Sequence, residues 1–362
     1  MMNEFIAPEI NHYDINFTSY CWKSPSNIAL IKYWGKFENQ IPSNPSISFT
    51  LKNSFTKTKI KFSKSDKPSN LVRFEIFFEG VKNSKFRLKL ENYFSNILEY
   101  CSYLKYYELN IETENSFPHS SGIASSASGL SAISLCIMSL EKDLTNNSNK
   151  EYFYKKASFL SRIGSGSACR SVYGGVNIWG GHKDFNNSSN FYSTEIKYDI
   201  SDVFKDYKDS ILIIDENEKS VSSTKGHALM NNHPYSEIRF KSANENISKL
   251  KVILKSGNLT DFCELVENEA LTLHALMMTS SPSYILMKPN TLQVITKVIE
   301  FRIKHKIPLC FTLDAGANIH LLYPKVFSEK ISDFINDELM VFCENKTYID
   351  DCIGEGPVQI LI

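Results

Sequence analysis

The amino-acid sequence predicts an α+β fold with two domains, and three observations lead to this prediction. The chain has 362 residues, and at about 100–200 residues per domain this length favours two domains. Segments with the spacing of strands and of helices are intermixed in both halves of the chain. The polar segment KDFNNSSNF at 183–191 has the composition of a linker. We therefore expect one domain over 1–190 and a second over 191–362.

The spacing of apolar residues predicts the individual elements. Alternation of apolar and polar residues is typical of a strand, and apolar residues three or four apart are typical of one face of a helix. Glycines and polar clusters separate the segments. The predicted strands are 53–63, 72–80, 171–181, 210–216 and a strand–turn–strand unit over 307–324, and the predicted helices are 86–107, 120–140, 152–164, most of 235–277 and 291–306.

Charge and hydropathy exclude several classes of protein. Forty Lys and Arg residues balance 40 Asp and Glu residues, so no net field attracts nucleic acid or anionic lipid. No apolar run reaches the roughly 18 residues that span a bilayer. The first residues lack the basic and then apolar pattern of a signal peptide. We expect a cytoplasmic protein with no nucleic-acid partner and no membrane partner.

The eight cysteines predict neither a zinc centre nor a disulfide framework. They are scattered, with no CxxC pair and no histidine at ligand spacing. We expect most of them to be small buried side chains in a reducing compartment. Only Cys169, inside a motif described next, is expected near chemistry.

Two segments rich in glycine and serine are candidates for binding anions. FPHSSGIASSASG (117–129) precedes a predicted helix, where unpaired N–H groups and hydroxyls can hold phosphate or help to hold Mg²⁺. Small residues that only permit close helix packing explain this segment equally well. RIGSGSACRS (162–171) contains Arg170, which can bind a carboxylate or phosphate through two parallel N–H bonds. Arg162 in the same segment fits a plain surface cation.

Two further segments place polar residues beside apolar strands. SPSNIALIKYWGK (24–36) gathers Asn27, Lys32 and aromatic residues at a density unusual for a core strand. A strand that runs to the surface is the alternative. TLDAGAN (312–318) puts Asp314 at the end of an apolar strand, where its carboxylate can accept a proton from a ligand hydroxyl. An aspartate that only caps the turn is the alternative there.

Together, these four segments resemble the GHMP superfamily of small-molecule kinases, and within it the diphosphomevalonate decarboxylase family. NIALIKYWGK resembles the family's N-terminal segment, GIASSASG its phosphate loop, GSGSACRSVYGG its arginine segment and TLDAGAN its catalytic aspartate turn. VSSTKGH at 221–227 and the stretch 273–295 also match, so the resemblance covers about residues 20–325. It implies a ribosomal protein S5 domain 2-like N-terminal domain, a ferredoxin-like C-terminal domain, a cleft between them and a homodimer.

The resemblance implies an enzyme that uses ATP and Mg²⁺. ATP would phosphorylate the tertiary 3-hydroxyl of (R)-5-diphosphomevalonate, and loss of that phosphate with CO₂ would give isopentenyl diphosphate. By match to family positions, Asp314 would orient or deprotonate the hydroxyl and Arg170 would hold the substrate carboxylate. Lys32 would help to neutralise charge on the transferred phosphoryl group.

The other matched positions imply binding roles. Toward the substrate, the family uses the positions that are here Asn27, Tyr33, Lys36, Ser167, Ser222, Ser223 and Thr224. Toward the nucleotide phosphates, it uses the positions that are here Ser121, Gly122, Ser125, Ser126 and Ser128. The Mg²⁺ ion is expected near Ser125 and Ser126.

The sequence departs from the family pattern at three places. His119 and Ser120 lie in the phosphate loop where smaller residues are usual, so nucleotide affinity is expected to differ. Ala317 replaces a frequent proline after DAG, which relaxes the turn and keeps the acid. His227 occupies a position where methionine is frequent, near the diphosphate segment, and we expect it to be a surface histidine.

Three alternative functions stay open at this point. A decarboxylase for 5-phosphomevalonate, or a mevalonate 3-kinase that lacks the second step, would share the fold. The presence of Lys32, Arg170 and Asp314 together argues against a kinase alone. A non-catalytic ligand-binding relative would carry a broken catalytic set, and the sequence shows none.

Overall fold

The computed structural model describes residues 2–361 except 11–13, 119–124, 198–199 and 218–219. Two β-sheets, each with helices packed against it, make up this part of the chain. Most strands of one sheet come from the first half of the sequence, and all strands of the other come from the second half. The prediction of an α+β fold with two domains is therefore confirmed, and the boundary at residue 190 stays a prediction.

The first sheet is mixed and is built around two long antiparallel strands. Its strands in the described ranges are β1 (Phe17–Ile31), β2 (Ser46–Lys64), β3 (Arg73–Phe78), β4 (Val81–Lys82), β5 (Tyr107–Asn115), β6 (Val176–Trp179), β7 (Ser193–Glu195) and β12 (Val358–Ile360). β1 pairs with β2 along nearly its whole length, and β3 lies parallel to β5. The chain returns to this sheet at β12, since Cys21 of β1 lies opposite Ile360.

Three helices cover one face of the first sheet, namely α1 (Ser84–Ile97), α2 (Ser125–Thr145) and α3 (Lys150–Gly164). α2 is buried almost throughout, because serine and alanine side chains let it lie close to β1. The hydroxyls of Ser24 and Ser131 are only 2.7 Å apart across this contact. Close packing thus explains why small residues occupy the middle of α2. The first turn of α2 lines a cavity instead.

The second sheet is antiparallel, in the order β11–β8–β10–β9. Its strands are β8 (Lys208–Leu212), β9 (Cys310–Thr312), β10 (Ile319–Tyr323) and β11 (Tyr348–Cys352). The helices of this half are α4 (Ser223–Ala228), α5 (Ser236–Ser256), α6 (Leu259–Met278), α7 (Pro289–His305) and α8 (Ser328–Phe334). Among the residues that the structure describes, no helix is long and apolar enough to cross a membrane.

A carboxylate at the end of the second sheet ties it to the first. Asp351 of β11 is fully buried and accepts backbone N–H bonds from Lys52, Asn53 and Ser54 of β2 at 2.7–2.9 Å. Three N–H donors from β2 on one carboxylate make a directional contact between the two sheets. This contact joins an end of β11 in the second sheet to β2 in the first.

Most of the predicted elements are confirmed, and three need correction. The helix predicted over 86–107 ends at Ile97, and the apolar spacing continues because a short 3₁₀ turn (Ser102–Tyr106) buries its own side chains. The strand predicted over 171–181 covers only β6, since a 3₁₀ segment (Gly166–Val172) precedes it. The segment 183–191 connects the paired strands β6 and β7 and is not a linker that leaves the first sheet.

The prediction that most of the cysteines are small buried side chains is confirmed. All eight are free thiols, and all except the partly exposed Cys352 are buried. Burial raises the pKa of Cys169 to about 12, so this thiol stays protonated near neutral pH. Its sulfur lies 3.0 Å from the carbonyl oxygen of Gly166. Cys169 therefore packs behind the candidate site and supplies no nucleophile to it.

Candidate active site

A polar cavity of about 330 Å³ lies where the two sheets meet. Of the described residues around it, Asp314 supplies the only carboxylate, against four Lys or Arg side chains. This excess of positive charge suits a ligand with several negative charges. The residues that line it include Lys32, Tyr33, Trp34, Lys36, Lys89, Ser125, Ser126, Ser165, Ser167, Arg170, Ser222, Ser223, Thr224, His227, Leu273, Asp314 and Ala315.

Lys32 and Asp314 form an ion pair in this cavity. Lys32 directly follows β1, and Asp314 lies two residues after the end of β9. The ammonium nitrogen of Lys32 lies 3.0 Å from Oδ1 of the Asp314 carboxylate. The Lys32 side chain is 2% exposed, whereas that of Asp314 is 30% exposed. Burial lowers the pKa of Lys32, and the charge of Asp314 opposes this effect. The cation is thus fixed, while part of the carboxylate remains accessible to a ligand.

A second ion pair beneath Lys32 holds its backbone, and sequence reasoning missed it. Glu269 of α6 accepts the Lys32 N–H at 2.9 Å, and Arg239 of α5 donates to the Lys32 carbonyl at 2.8 Å. The two side chains also bind each other through two bonds of 2.8 Å. Burial raises the pKa of Glu269, but Arg239 and the N–H donors outweigh this and lower it overall. No sequence motif marks these residues, which lie far from Lys32 along the chain.

The backbone of Asp314 has its own support. Nε2 of His274 on α6 donates to the carbonyl oxygen of Asp314 at 3.1 Å. His274 is buried, so its ring fixes the turn that presents the carboxylate. The side chain of Asp314 pairs with Lys32. Asp314 therefore does more than cap this turn.

Arg170 is held with its guanidinium at the cavity. Its Nε donates to Oδ1 of Asn27 at 3.1 Å, and Nη1 donates to the hydroxyl of Ser46 at 2.6 Å. Asn27 in turn donates to the hydroxyl of Ser171 at 2.8 Å. Asn27 thus positions Arg170 from behind, whereas Ser167 lines the cavity directly. In the described part of the chain, Nη2 has no partner, so a ligand carboxylate can use it.

The serines at the start of α2 divide into two groups. Ser125 and Ser126 line the cavity described above. They also line a second, largely apolar cavity of about 360 Å³. Ser128 is buried instead, and its hydroxyl lies 2.6 Å from that of Thr56, so the structure does not bring it to either cavity. The predicted site residues Ser121 and Gly122, like His119 and Ser120, lie outside the described residues.

Lys89 joins these two cavities and was missed from the sequence. It lies on α1, outside every segment that carries the family resemblance, and it lines both cavities. Ser222 and Ser223, at the start of α4, line both cavities as well. A lysine and several serines that line the same cavities are a suitable environment for a chain of phosphates.

The YWGK turn encloses His227, contrary to the expectation of a surface histidine. The His227 residue is 6% exposed, and its ring lies 4.3 Å from that of Tyr33 and 4.6 Å from that of Trp34. Gly35 closes the turn with φ +94°, and a Cβ there would lie 2.8 Å from the ring of Phe240. Glycine is therefore required at this position. The turn brings Tyr33 and Lys36 to the cavity, as the sequence predicted.

Arg162 also differs from its prediction. Its guanidinium is buried and donates to the carbonyl oxygens of Phe191 and Asn39. The side chain therefore joins the end of α3 to two loops and is not a surface cation. Its role in the first domain is structural.

The described residues hold no cluster of three or more acidic, histidine or cysteine side chains that could bind a metal alone. Mg²⁺ commonly binds through one or two protein oxygens together with phosphate oxygens and water. Ser125 and Ser126 line both cavities. They are suitable for a magnesium ion that arrives bound to nucleotide phosphates.

Comparison with known proteins relates most of the chain to two domain families. Residues 24–191 match the diphosphomevalonate decarboxylase-like N-terminal domain, and residues 210–355 match the mevalonate 5-diphosphate decarboxylase C-terminal domain. The diphosphomevalonate decarboxylase of Saccharomyces cerevisiae is 28% identical over 334 residues, which is 86% of this chain and 79% of that protein.

Solved structures of similar fold cover nearly the whole chain. Mevalonate diphosphate decarboxylase from Staphylococcus aureus superposes with a TM-score of 0.81 at 28% identity, over 95% of this chain and 98% of that one. A structure described as MDDEF in complex with MVAPP, AMPPCP and magnesium gives a TM-score of 0.80 at 26% identity, over 95% and 99% of the two chains.

The fold defines an enzyme of the GHMP superfamily, in which serines at a helix start of one domain and an acid from the other line the same cavity. Two domain families cover most of the sequence in the expected order. The chain belongs to the diphosphomevalonate decarboxylase family.

Proposed function

We propose that the protein is an ATP-dependent carboxy-lyase that converts (R)-5-diphosphomevalonate and ATP into isopentenyl diphosphate, ADP, phosphate and CO₂. The observation that carries this proposal is the convergence of Asp314, Lys32 and Arg170 on one cavity, from three distant parts of the sequence. Relatives over most of the chain bear the name of this activity. The two chemical steps need a proton acceptor, a cation beside it and a carboxylate clamp, and these three residues supply them.

The first step transfers the γ-phosphoryl group of ATP to the 3-hydroxyl of the substrate. The hydroxyl oxygen attacks phosphorus, its proton passes to the carboxylate of Asp314, and ADP leaves. Lys32 at 3.0 Å favours the ionised form of Asp314 before the step. The same ammonium stabilises negative charge on the transferred group, because it is fixed in a buried position and need not reorganise.

The second step is decarboxylation. The bond from C3 to the phosphate oxygen breaks, the electron pair of the bond to the carboxylate forms the new double bond, and CO₂ leaves. Arg170 holds the carboxylate in place through the N–H groups that Asn27 and Ser46 leave unused. The cavity wall includes Trp34 and Leu273, and such apolar walls keep water away from a cation-like centre.

The second cavity is suited to the nucleoside of ATP. Its walls are largely apolar, and a few polar groups can fix a base, among them Thr113 and Asn115. The triphosphate would then lie along the residues common to both cavities, including Lys89, Ser125 and Ser126. When Mg²⁺ is bound there, it neutralises charge on the phosphates.

A paired product assay tests the proposed function. Purified protein is given diphosphomevalonate, ATP and Mg²⁺, and ADP and CO₂ are measured together. Equal amounts of the two products are expected. ADP without CO₂ would indicate the 3-kinase alternative, and stronger activity with 5-phosphomevalonate would indicate the monophosphate alternative.

The proposal includes Mg²⁺ dependence, a homodimer and a cytoplasmic location, as family membership suggests. Chelation with EDTA should abolish turnover, and added Mg²⁺ should restore it. Light scattering of the purified protein measures its mass in solution against the 41.3 kDa of one chain. A mass of one chain at micromolar concentration would contradict the dimer.

A further inference from the structure

His227 lies in the cavity wall at a place where the mechanism above gives it no role. It belongs to α4, about one helical turn after Ser223 and Thr224, and so lies on the same side of that helix. All three residues line the cavity together with Lys36. The ring of His227 is held on two sides by Tyr33 and Trp34, with an angle of 38° to each.

The hydrogen bonds of the ring define which nitrogen carries the proton. The backbone N–H of Gly35 donates to Nδ1 of His227 at 3.0 Å, so Nδ1 is an acceptor and has no hydrogen. Burial lowers the pKa of His227 to about 3, and the charges of Lys36 and Arg170 act in the same direction. The ring is therefore neutral near pH 7, and its single N–H is on Nε2.

This N–H donor has no acceptor within the described part of the chain. The hydrogen bond from Gly35 is the one polar contact of the ring there. Nε2 is also not sealed from the cavity, in contrast to the enclosed hydroxyl of Tyr33. A fixed donor with no protein acceptor is available to a ligand, and its orientation requires no reorganisation on binding.

The chemistry around this donor indicates the part of the ligand that it meets. Lys36 contributes an ammonium group, and Ser222, Ser223 and Thr224 contribute hydroxyls. The only described carboxylate of the cavity, Asp314, is paired with Lys32. A group of donors with positive charge fits phosphoryl oxygens, which are strong acceptors.

We propose that His227 is a substrate-binding residue whose Nε2–H donates a hydrogen bond to a phosphoryl oxygen at the diphosphate end of the substrate. This inference rests on the proposed function, because it takes diphosphomevalonate as the ligand. Neither the sequence motifs nor the family comparisons assign this role to His227. The acceptor on the substrate is ionised, so one lost bond should weaken binding about ten-fold or more.

Two polar substitutions separate binding from a structural role. H227N keeps an acceptor near the position of Nδ1 for Gly35 but loses the donor at Nε2. H227Q reaches the position of Nε2 with an N–H group but loses the short contact to Gly35. If His227 binds substrate, H227N raises the KM for diphosphomevalonate about ten-fold and H227Q raises it less than about three-fold. If His227 only holds the turn through Gly35, H227Q raises the KM for diphosphomevalonate more than H227N does.

His233 offers a matched control. It is also a buried histidine, but both ring nitrogens have protein partners, the N–H of Tyr235 and the carbonyl oxygen of Leu276. H233N should lower the melting temperature without raising the KM for diphosphomevalonate. H227N should raise this KM and leave the KM for ATP within about two-fold.

The outcomes distinguish failure of this inference from failure of the proposed function. Calorimetric titration of diphosphomevalonate without ATP is measured alongside turnover. The inference is supported if the wild type binds diphosphomevalonate, H227N binds it more weakly and H227Q retains the affinity. This holds even if the wild type releases no CO₂, a result that would reject the proposed function. Equal affinities of wild type and H227N, or equal losses in H227N and H227Q, overturn the inference while wild-type turnover upholds the function. Absence of wild-type binding overturns both.

Discussion

Replacing Glu269 by glutamine tests whether the buried pair beneath Lys32 supports the active site. The carboxylate receives four hydrogen bonds of 2.7–2.9 Å, two from Arg239, one from the Lys32 backbone and one from Asn246. The side chains of Glu269 and Arg239 are 0% and 1% exposed. E269Q turns one acceptor oxygen into a donor that faces N–H groups, and it leaves the Arg239 charge buried without a counter-charge.

The expected cost follows from these contacts. Breaking a buried ion pair by neutralising one partner costs about 3–5 kcal/mol. Losing two charge-assisted hydrogen bonds, at about 1.5–3 kcal/mol each, gives a similar figure. We expect the free energy of unfolding of E269Q to fall by about 4 kcal/mol, measured by urea titration with tryptophan fluorescence. We also expect kcat/KM to fall about 10–100-fold, since the Lys32 backbone loses an anchor and small displacements of reacting groups are costly.

A second buried pair supplies the control. Glu141 binds Lys156 at 2.6 Å, with both side chains at most 2% exposed, inside the first domain and outside the cavity. E141Q should lose a similar free energy of unfolding but keep its kcat/KM under conditions where both variants are folded. A change below about 1 kcal/mol in E269Q would refute the reasoning about the buried charge. An equal loss of activity in E141Q would refute the specific link to Lys32.

Three substitutions in the cavity test the other assignments. D314N should lower kcat about 10²–10⁴-fold with little change in the calorimetric affinity for diphosphomevalonate, and near-normal turnover would exclude the assigned role. R170K should lower kcat/KM by nearly as much, because an ammonium cannot make two parallel bonds to a carboxylate. Wild-type kinetics in R170K would contradict the proposal that Arg170 holds the substrate carboxylate. The pKa of His227 is about 3 in the folded protein, below the ordinary value of about 6.5 that applies to the unfolded chain. As pH falls below about 6.5, the unfolded chain therefore gains a proton before the folded protein does, and the free energy of unfolding decreases. Between pH 6.5 and 5, the free energy of unfolding should fall about 1.6 kcal/mol more in wild type than in H227M, as urea titrations can measure. Parallel pH profiles of the two proteins would show that His227 also takes up a proton in the folded state.

The sequence was sufficient where local pattern determines the structure. Period-two alternation located the outer part of β2 and all of β3, and the apolar faces of α3, α6 and α7 were recognisable from their spacing. The predicted helix that ran past Ile97 failed because buried residues in a 3₁₀ turn have nearly the same spacing. Apolar periodicity reports burial, and burial alone does not distinguish these two kinds of helix.

The site was predictable only for residues within motifs. Asp314, Lys32 and Arg170 lie in short segments with a recognisable composition, and the structure brings them together. Glu269 and Arg239 act through long-range contacts with one backbone position, and a single sequence does not contain that information. His227 was expected at the surface because histidine is polar, yet a turn with a glycine and two aromatic rings encloses it.

The pairing of β12 with β1 has a consequence for the newly made chain. Cys21–Lys23 is made early, whereas Val358–Ile360 belongs to the last described strand to be made. Translation adds about 5–20 residues per second, so this stretch of β1 waits on the order of tens of seconds for its partner. An open strand edge can pair with other polypeptides. Until β12 is made, this stretch of β1 therefore lacks its native partner.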